Sequence, residues 1–261
     1  MAGSSDSAAI GRLRELLDDV HRRAPFEPEV GYLDLLDDDR TVHSPVMRAM
    51  NMPLVTQVYE RWWRPGWGRL MKGFGGPSMS AEYELAGELL ALAPGARVLD
   101  LGCGPGNFTR RFAAAVGADG LAVGYDGSLP MLERAVTETP EDVASSLAYV
   151  RGDASRLPFV DGAFDAVCCF AALHMFPKPE RTLAEVARVL RGGGRVALLT
   201  SYAPGGVLGA PARLAGPASG QRIFGRGEIR DLLSDAGFDV TDQRPSGVTQ
   251  LVAATREPTP A

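Results

Sequence analysis

The stretch Val98–Thr109, VLDLGCGPGNFT, holds the residue types and spacing best suited to grasping a small molecule. An apolar run containing one acid, Asp100, leads straight into a glycine-rich corner, Gly102-Cys103-Gly104-Pro105-Gly106, and a helical pattern starts at Phe108. A strand buried on both faces needs the apolar run, and glycines allow a tight turn with a ligand close to the backbone. The first N–H groups of the new helix have no partner inside it, so they face whatever occupies the corner. Such a corner suits a nucleotide-like ligand. Its spacing narrows the choice. A dinucleotide fingerprint, G-x-G-x-x-G, would put its third glycine at position 107, which is Asn107; here the third glycine is Gly106. A Walker loop would end in Gly-Lys-Ser/Thr, and this corner has no lysine. Glycines serving turn geometry alone are the alternative.

Two further corners fall where a doubly wound sheet needs them. Leu121–Ala135, LAVGYDGSLPMLERA, reads as a second strand ending in Asp126, with Ser128 and Pro130 opening a helix. An acid at a strand's carboxyl end can accept two hydrogen bonds from a ribose diol, or it can cap the helix. Tyr149–Phe170 begins with a third strand followed by Asp153, which can take a hydrogen bond from an adenine amino group while the Ala154 N–H meets a ring nitrogen. An ordinary turn aspartate is the competing reading for Asp153.

The D-x-G-x-G-x-G form resembles motif I of the class I S-adenosylmethionine (SAM) methyltransferases. Residues from about Pro94 to Arg256 are similar to the branch of that family containing ubiquinone and menaquinone C-methyltransferases. Further matching pieces are Ala172–Leu198 and Phe224–Phe238. The leader pieces Gly31–Leu36 (GYLDLL) and Ser44–Trp67 look like those of a group of bacterial and plant plastid methyltransferases, whose cysteine-rich ribbon has no counterpart before Cys103. The resemblance implies SAM as cofactor, S-adenosylhomocysteine (SAH) as product, and no metal. It implies a cofactor site built from Asp100, Gly102, Cys103, Gly104, Gly106, Asn107, Phe108, Asp126, Gly127, Ser128, Met131, Asp153, Ala154 and Phe170, with Tyr59 reaching in from the leader. Gly127 departs from the family, where a bulkier residue commonly packs on adenine; Met131 or Leu157 can replace it.

Methyl transfer from a sulfonium asks chiefly for alignment and exclusion of water, so the family has no universal catalytic side chain. The run Cys169-Phe170-Ala171-Ala172 is not the Asn/Asp-Pro-Pro-aromatic run of enzymes that methylate amino groups, and no acid-rich magnesium cluster stands beside Phe170. His174, just past the fourth strand, is the candidate general base and a substrate contact; the alternative is a histidine that packs its loop. Trp62, Trp63 and Trp67, with Tyr59, crowd a leader segment that can line the acceptor site or simply glue the leader to the core. Methyl transfer to oxygen or carbon of a small hydrophobic, aromatic acceptor (a quinol, polyketide or other secondary metabolite) is the reading. A SAM-binding fold that catalyses a cyclisation, or only binds, is the alternative.

These residues need an α/β scaffold: a Rossmann-like, seven-stranded, mostly parallel sheet with helices on both faces and an N-terminal helical lid. Strands are expected near 96–101, 120–125, 147–150, 164–169, 194–200, 238–243 and 249–255, the last two as an antiparallel hairpin. Helices are expected over 10–23, 46–63, 80–92, 108–116, 179–190 and 227–236, with Gly192–Gly194 as a helix stop. Residues 1–92 form the leader and 93–261 the SAM-binding core, with loop 202–222 over the active site. The chain of 261 residues, 45% hydrophobic, can bury one large core plus an appendage. A net charge of −5 argues against nucleic acid as partner. No stretch suits a membrane span or a signal peptide. Three cysteines without metal or disulfide spacing fit the cytoplasm. A monomer or homodimer is expected.

Overall fold

The structure, a computed structural model, describes residues 5–36, 79–203 and 221–258. Seven strands lie where the apolar runs place them: β2 (Arg97–Leu101), β3 (Leu121–Asp126), β4 (Leu147–Arg151), β5 (Phe164–Phe170), β6 (Leu190–Ser201), β7 (Phe238–Ser246) and β8 (Thr249–Arg256). An eighth corrects the expected count. It is β1 (Leu33–Asp34), contributed by the GYLDLL segment, and the sheet runs β1-β4-β3-β2-β5-β6-β8-β7. Two residues carry no readable period, so this strand had no sequence signal; it forms because Leu33 and Asp34 pair in parallel with Val150 and Arg151, and Leu33 is buried there. Pairing is parallel throughout except around β8, which lies antiparallel between β6 and β7 as the expected hairpin.

Neighbouring residues on the central strands point to opposite faces, and both faces are apolar. Val98, Ala122 and Cys168 pack against α2 (Met79–Leu90), α3 (Asn107–Val116) and α4 (Leu129–Thr137) through Leu90, Phe112, Val116 and Leu132. Leu99, Val123 and Val167 pack against α1 (Ser5–Leu16), α5 (Pro179–Val189) and α6 (Arg226–Asp235) through Leu13, Leu183, Val186, Ile229 and Leu233. Among the described residues no helix is long and apolar enough to cross a membrane.

Two elements differ from their expected bounds for identifiable reasons. α1 stops at Leu16 because Leu17 bridges to Phe159 and the Asp18 N–H donates to the Pro158 carbonyl at 2.9 Å; Val20, inside the expected helix, lies beyond its end and is exposed. α5 stops at Val189, ahead of the three glycines. These instead form a bulge in β6: pairing with β5 steps from Phe164↔Leu190 to Ala166↔Arg195, and Gly193 takes φ 72°. The expected helix over 46–63 lies outside the described residues.

Tyr149 on β4 fills the space behind the glycine corner. A Cβ at Gly124 of β3 would lie 2.6 Å from its ring. Gly124→Ala should therefore cost about 1–3 kcal/mol of stability, seen as a lowered Tm in thermal denaturation; an unchanged Tm would mean that the ring can yield.

Candidate active site

The strand order reverses at β2: β3 and β4 continue on one side, β5 and β6 on the other. The crevice at such a reversal, outside the strands' carboxyl ends, is where open α/β sheets bind ligands. The glycine corner sits at this point. Gly102, Gly104 and Gly106 all have positive φ, at 72°, 54° and 74°. They differ in what a side chain would strike. A Cβ on Gly102 would be 2.4 Å from the Ala172 Cβ, and one on Gly106 would be 2.3 Å from the Tyr149 hydroxyl. A Cβ on Gly104 would meet nothing within 4 Å. Gly102 and Gly106 are thus demanded by the protein's own packing, whereas Gly104 opens onto space that a ligand can fill. A nucleotide-like cofactor fits a cradle of this kind.

Asp100 is buried beneath the corner. The Thr109 hydroxyl donates to its Oδ2 at 2.6 Å and the Cys168 thiol to its Oδ1 at 3.2 Å. Burial pushes its pKa up to about 6, against the pull of those two donors and with added repulsion from Asp126. Asp100 therefore braces the corner from behind. Cys103 is also turned inward, its thiol pushed well up by burial. Arg110 supports the corner from α3, donating to the Pro105 carbonyl and the Asn107 side chain, each at 2.7 Å.

Asp126 ends β3 beside the open glycine. Its Oδ2 accepts the Gly104 N–H and its Oδ1 the Ser128 N–H, both at 2.8 Å. The carboxylate thereby stitches the first corner to the second, and burial raises its pKa. Each oxygen keeps a second lone pair for a hydroxyl donor. Gly127 is similarly open, with only the Gly152 carbonyl 3.5 Å from a would-be Cβ. Asp153 closes a turn of its own, taking the Ser155 N–H at 2.8 Å and its hydroxyl at 2.9 Å. Ala154 beside it is partly exposed. Met131 is buried on α4, and Leu157 is a core residue.

An aromatic wall stands on the β5 side. The Phe108 ring meets Tyr83 edge-on at 4.6 Å and Phe170 at 4.8 Å. Tyr83 escaped the sequence reading, although Tyr83, Ala86 and Leu90 recur on one face of the expected helix. Past Phe170 the chain bends sharply through Ala171, a non-glycine residue at φ 58°. Ala172 then packs on Gly102, which brings the short 3-10 turn Leu173–Met175, bearing His174, against the glycine corner. The His174 Nδ1 is buried with no hydrogen-bond partner, and desolvation pulls its pKa down to about 4. Its carbonyl accepts the Arg222 N–H at 2.8 Å, which fixes the turn from the far side. Tyr59, Trp62, Trp63, Trp67 and positions 204–220 of the expected covering loop lie outside the described residues.

Comparison with known proteins agrees with this geometry. Residues 99–198 match the family model described as "Methyltransferase domain". An uncharacterized chloroplastic methyltransferase of Arabidopsis thaliana is 39% identical over 172 residues, spanning 62% of this chain and 47% of that protein. The demethylmenaquinone methyltransferase of Lactiplantibacillus plantarum is 40% identical over 114 residues, spanning 43% of this chain and 48% of that one. The chain spans about half the length of the curated relatives it matches. The solved [4+2]-cyclase SpnF superposes with a TM-score of 0.60 at 20% identity, covering 69% of this chain and 81% of that one. At that identity the likeness is one of fold alone.

The contrast among the glycines is testable. Gly104→Ala should keep the fold, losing about 1–2 kcal/mol to backbone strain, yet abolish SAH binding in calorimetry. Gly102→Ala should instead lower the Tm sharply. Equal loss of stability in both variants would remove the distinction.

Asp100 gives a pH signature. Its folded pKa, about 6, exceeds the ordinary carboxylate value of 3.8, so the folded state holds more protons between the two and stability falls as pH rises through that window. His174, lowered to about 4 from 6.5, acts in the opposite sense, losing stability as pH falls through its own window. The Tm difference between Asp100→Asn and wild type should therefore grow from pH 4 to pH 6 and level off above. A difference flat across that range would contradict the burial argument.

Proposed function

We propose that this chain, whose residues 99–198 match a methyltransferase-domain model, is a class I SAM-dependent methyltransferase that methylates oxygen or carbon of a small, hydrophobic, aromatic acceptor such as a quinol or polyketide. The observation that carries the reading is the open side of Gly104 beside the Asp126 carboxylate. SAM, when bound, supplies a methyl group made electrophilic by its sulfonium, and SAH is what remains. In this reading the corner N–H groups around Gly104 and Asn107 receive the amino-acid end. Asp126 accepts from the sugar hydroxyls through its remaining lone pairs. Asp153 and the Ala154 N–H face the purine, with Met131 and the open Gly127 beside it.

Phe108 and Phe170 supply a dry wall, which strengthens alignment by excluding water. His174 is neutral around pH 7 and its buried Nδ1 has no partner; in this reading that nitrogen takes the proton of a phenol or carbon acid, even though desolvation weakens it as a base. In this reading Trp62, Trp63 and Trp67 contact the acceptor and Tyr59 the cofactor, all of them outside the described residues. The named demethylmenaquinone methyltransferase supports a quinol-like acceptor. No metal takes part in this reading, the protein is a monomer or homodimer, and its free, buried thiols suit the cytoplasm.

Incubation with methyl-labelled SAM and a panel of phenols and quinols should give labelled product. Turnover that proceeds equally with SAH would favour a non-methylating reaction instead. His174→Ala should lower kcat by about 100-fold while SAH affinity stays unchanged. A kcat within about twofold of wild type would remove the base assignment and leave His174 a packing residue.

A further inference from the structure

The turn bearing His174 is tied to a segment nearly fifty residues further along the chain. β6 ends at Ser201, and the backbone of Arg222–Phe224 lies against that end, just ahead of α6. The Ser201 hydroxyl donates to the Arg222 carbonyl at 2.7 Å and accepts the Phe224 N–H at 3.4 Å, gripping the segment on both sides of Ile223. The Arg222 N–H, on the same segment, holds the His174 carbonyl at 2.8 Å. Beneath it, the Ser201 carbonyl accepts the Gln250 Nε2 at 3.1 Å, and the Gln250 Oε1 accepts the Gln243 Nε2 at 2.8 Å. The Gln243 amide also donates to the Arg226 carbonyl, at the start of α6, at 3.0 Å. Hydrogen bonds therefore run without a break from α6 through Gln243, Gln250, Ser201 and Arg222 to His174. Both glutamines are buried, and the Gln243 Oε1 has no partner. Apolar side chains would stabilise such a strand pair better, so the network is explained by what it positions.

We propose that Ser201 is a positioning residue for His174: its hydroxyl clamps the segment whose Arg222 N–H holds the His174 carbonyl, and so fixes where the imidazole stands. The bonds inside the turn are local, from the Met175 N–H to the Ala172 carbonyl at 2.8 Å and from the Phe176 N–H to the Leu173 carbonyl at 3.2 Å. The tie from Arg222 comes from outside and sets the turn against the rest of the fold. With no partner at Nδ1, the ring follows its backbone. A shift of about 1 Å at a proton acceptor can cost a rate tenfold or more. The segment stays folded when the hydroxyl is removed. Phe224 is buried and its carbonyl accepts the Ala203 N–H at 3.0 Å, while the Arg222 guanidinium spans Glu228 at 3.0 Å and Glu180 at 3.2 Å. Those ties hold the side chain of residue 222 and the backbone of residue 224. The Ser201 hydroxyl grips the backbone of residue 222 itself, beside the N–H that His174 uses.

This inference rests on the methyl-transfer reading and on His174 as its base. Ser201→Ala should raise the exchange rate of the Arg222 amide hydrogen by about tenfold. It should lower kcat by about tenfold with a phenol or quinol that the wild type methylates, leaving KM for SAM and Kd for SAH within about twofold. Ser201→Thr keeps the hydroxyl and should return kcat to within about twofold of wild type. Because Ser201 acts through His174, adding Ser201→Ala to His174→Ala should change kcat by no more than about twofold. If Ser201→Ala does not fold, Ser201→Cys, whose thiol is a weak hydrogen-bond partner, takes its place. Unchanged Arg222 exchange, faster exchange with unchanged kcat, or losses that multiply in the double variant each overturn the proposal and leave the methyl-transfer reading in place. A kcat for His174→Ala within about twofold of wild type overturns the base assignment and this inference together. No labelled product from the wild type overturns the methyl-transfer reading as well.

Discussion

The glycine corner after β2 is wedged between two neighbours that approach closer than any side chain would allow. Ala172 closes on Gly102 from the β5 side, and Tyr149 closes on Gly106 from the β4 side. This double approach sets where α3 begins, how near His174 comes, and which way the middle glycine opens. The positive φ values follow from it, since only glycine takes them without cost in a turn this tight. Tyr149 serves two masters: its ring also limits Gly124, so β3 and the corner share one packing constraint.

Around that wedge, single acceptors join several elements. Asp100 on β2 takes Thr109 from α3 and Cys168 from β5; Asp126 on β3 takes Gly104 from the corner and Ser128 from the start of α4. Each carboxylate thereby fixes two chain segments against a third. Their proximity raises the cost, because Asp126 adds repulsion to the burial that already lifts Asp100. The fold accepts that cost beside the corner where the first N–H groups of α3 have no partner inside the helix.

Legibility in the sequence tracked periodicity and chain-local chemistry. The seven longer strands, their hairpin and the three corners could be read because apolar runs and turn residues are adjacent in the chain. What could not be read depended on contacts across the chain. β1 is two residues long and exists through its partner on β4. The ending of α1 is set by Phe159, far along the sequence, and the glycine bulge in β6 by the register of β5. In the site, the acids and glycines were visible by type, but the partners they take within the protein were not: Asp100 accepts from Thr109, Asp153 from Ser155, and Tyr83 was an unremarked helix-face residue until α2 set it on Phe108.

A division of labour follows from these placements. Residues whose polar groups are consumed by the protein, such as Asp100, Thr109, Arg110 and Arg151, define positions without facing the crevice. Others keep capacity: Gly104 and Gly127 have room for a ligand where a Cβ would stand, Asp126 has lone pairs beyond its two N–H partners, and the buried His174 Nδ1 has no partner. Unspent hydrogen-bonding capacity in a buried setting is costly, so a fold retains it chiefly where a ligand repays the cost. The spare groups gather at the reversal of strand order, on three consecutive corners and the turn after β5, while the consumed ones lie one layer behind. That layering is what lets a common α/β sheet present a site, since each unspent group is held in place by a spent one behind it.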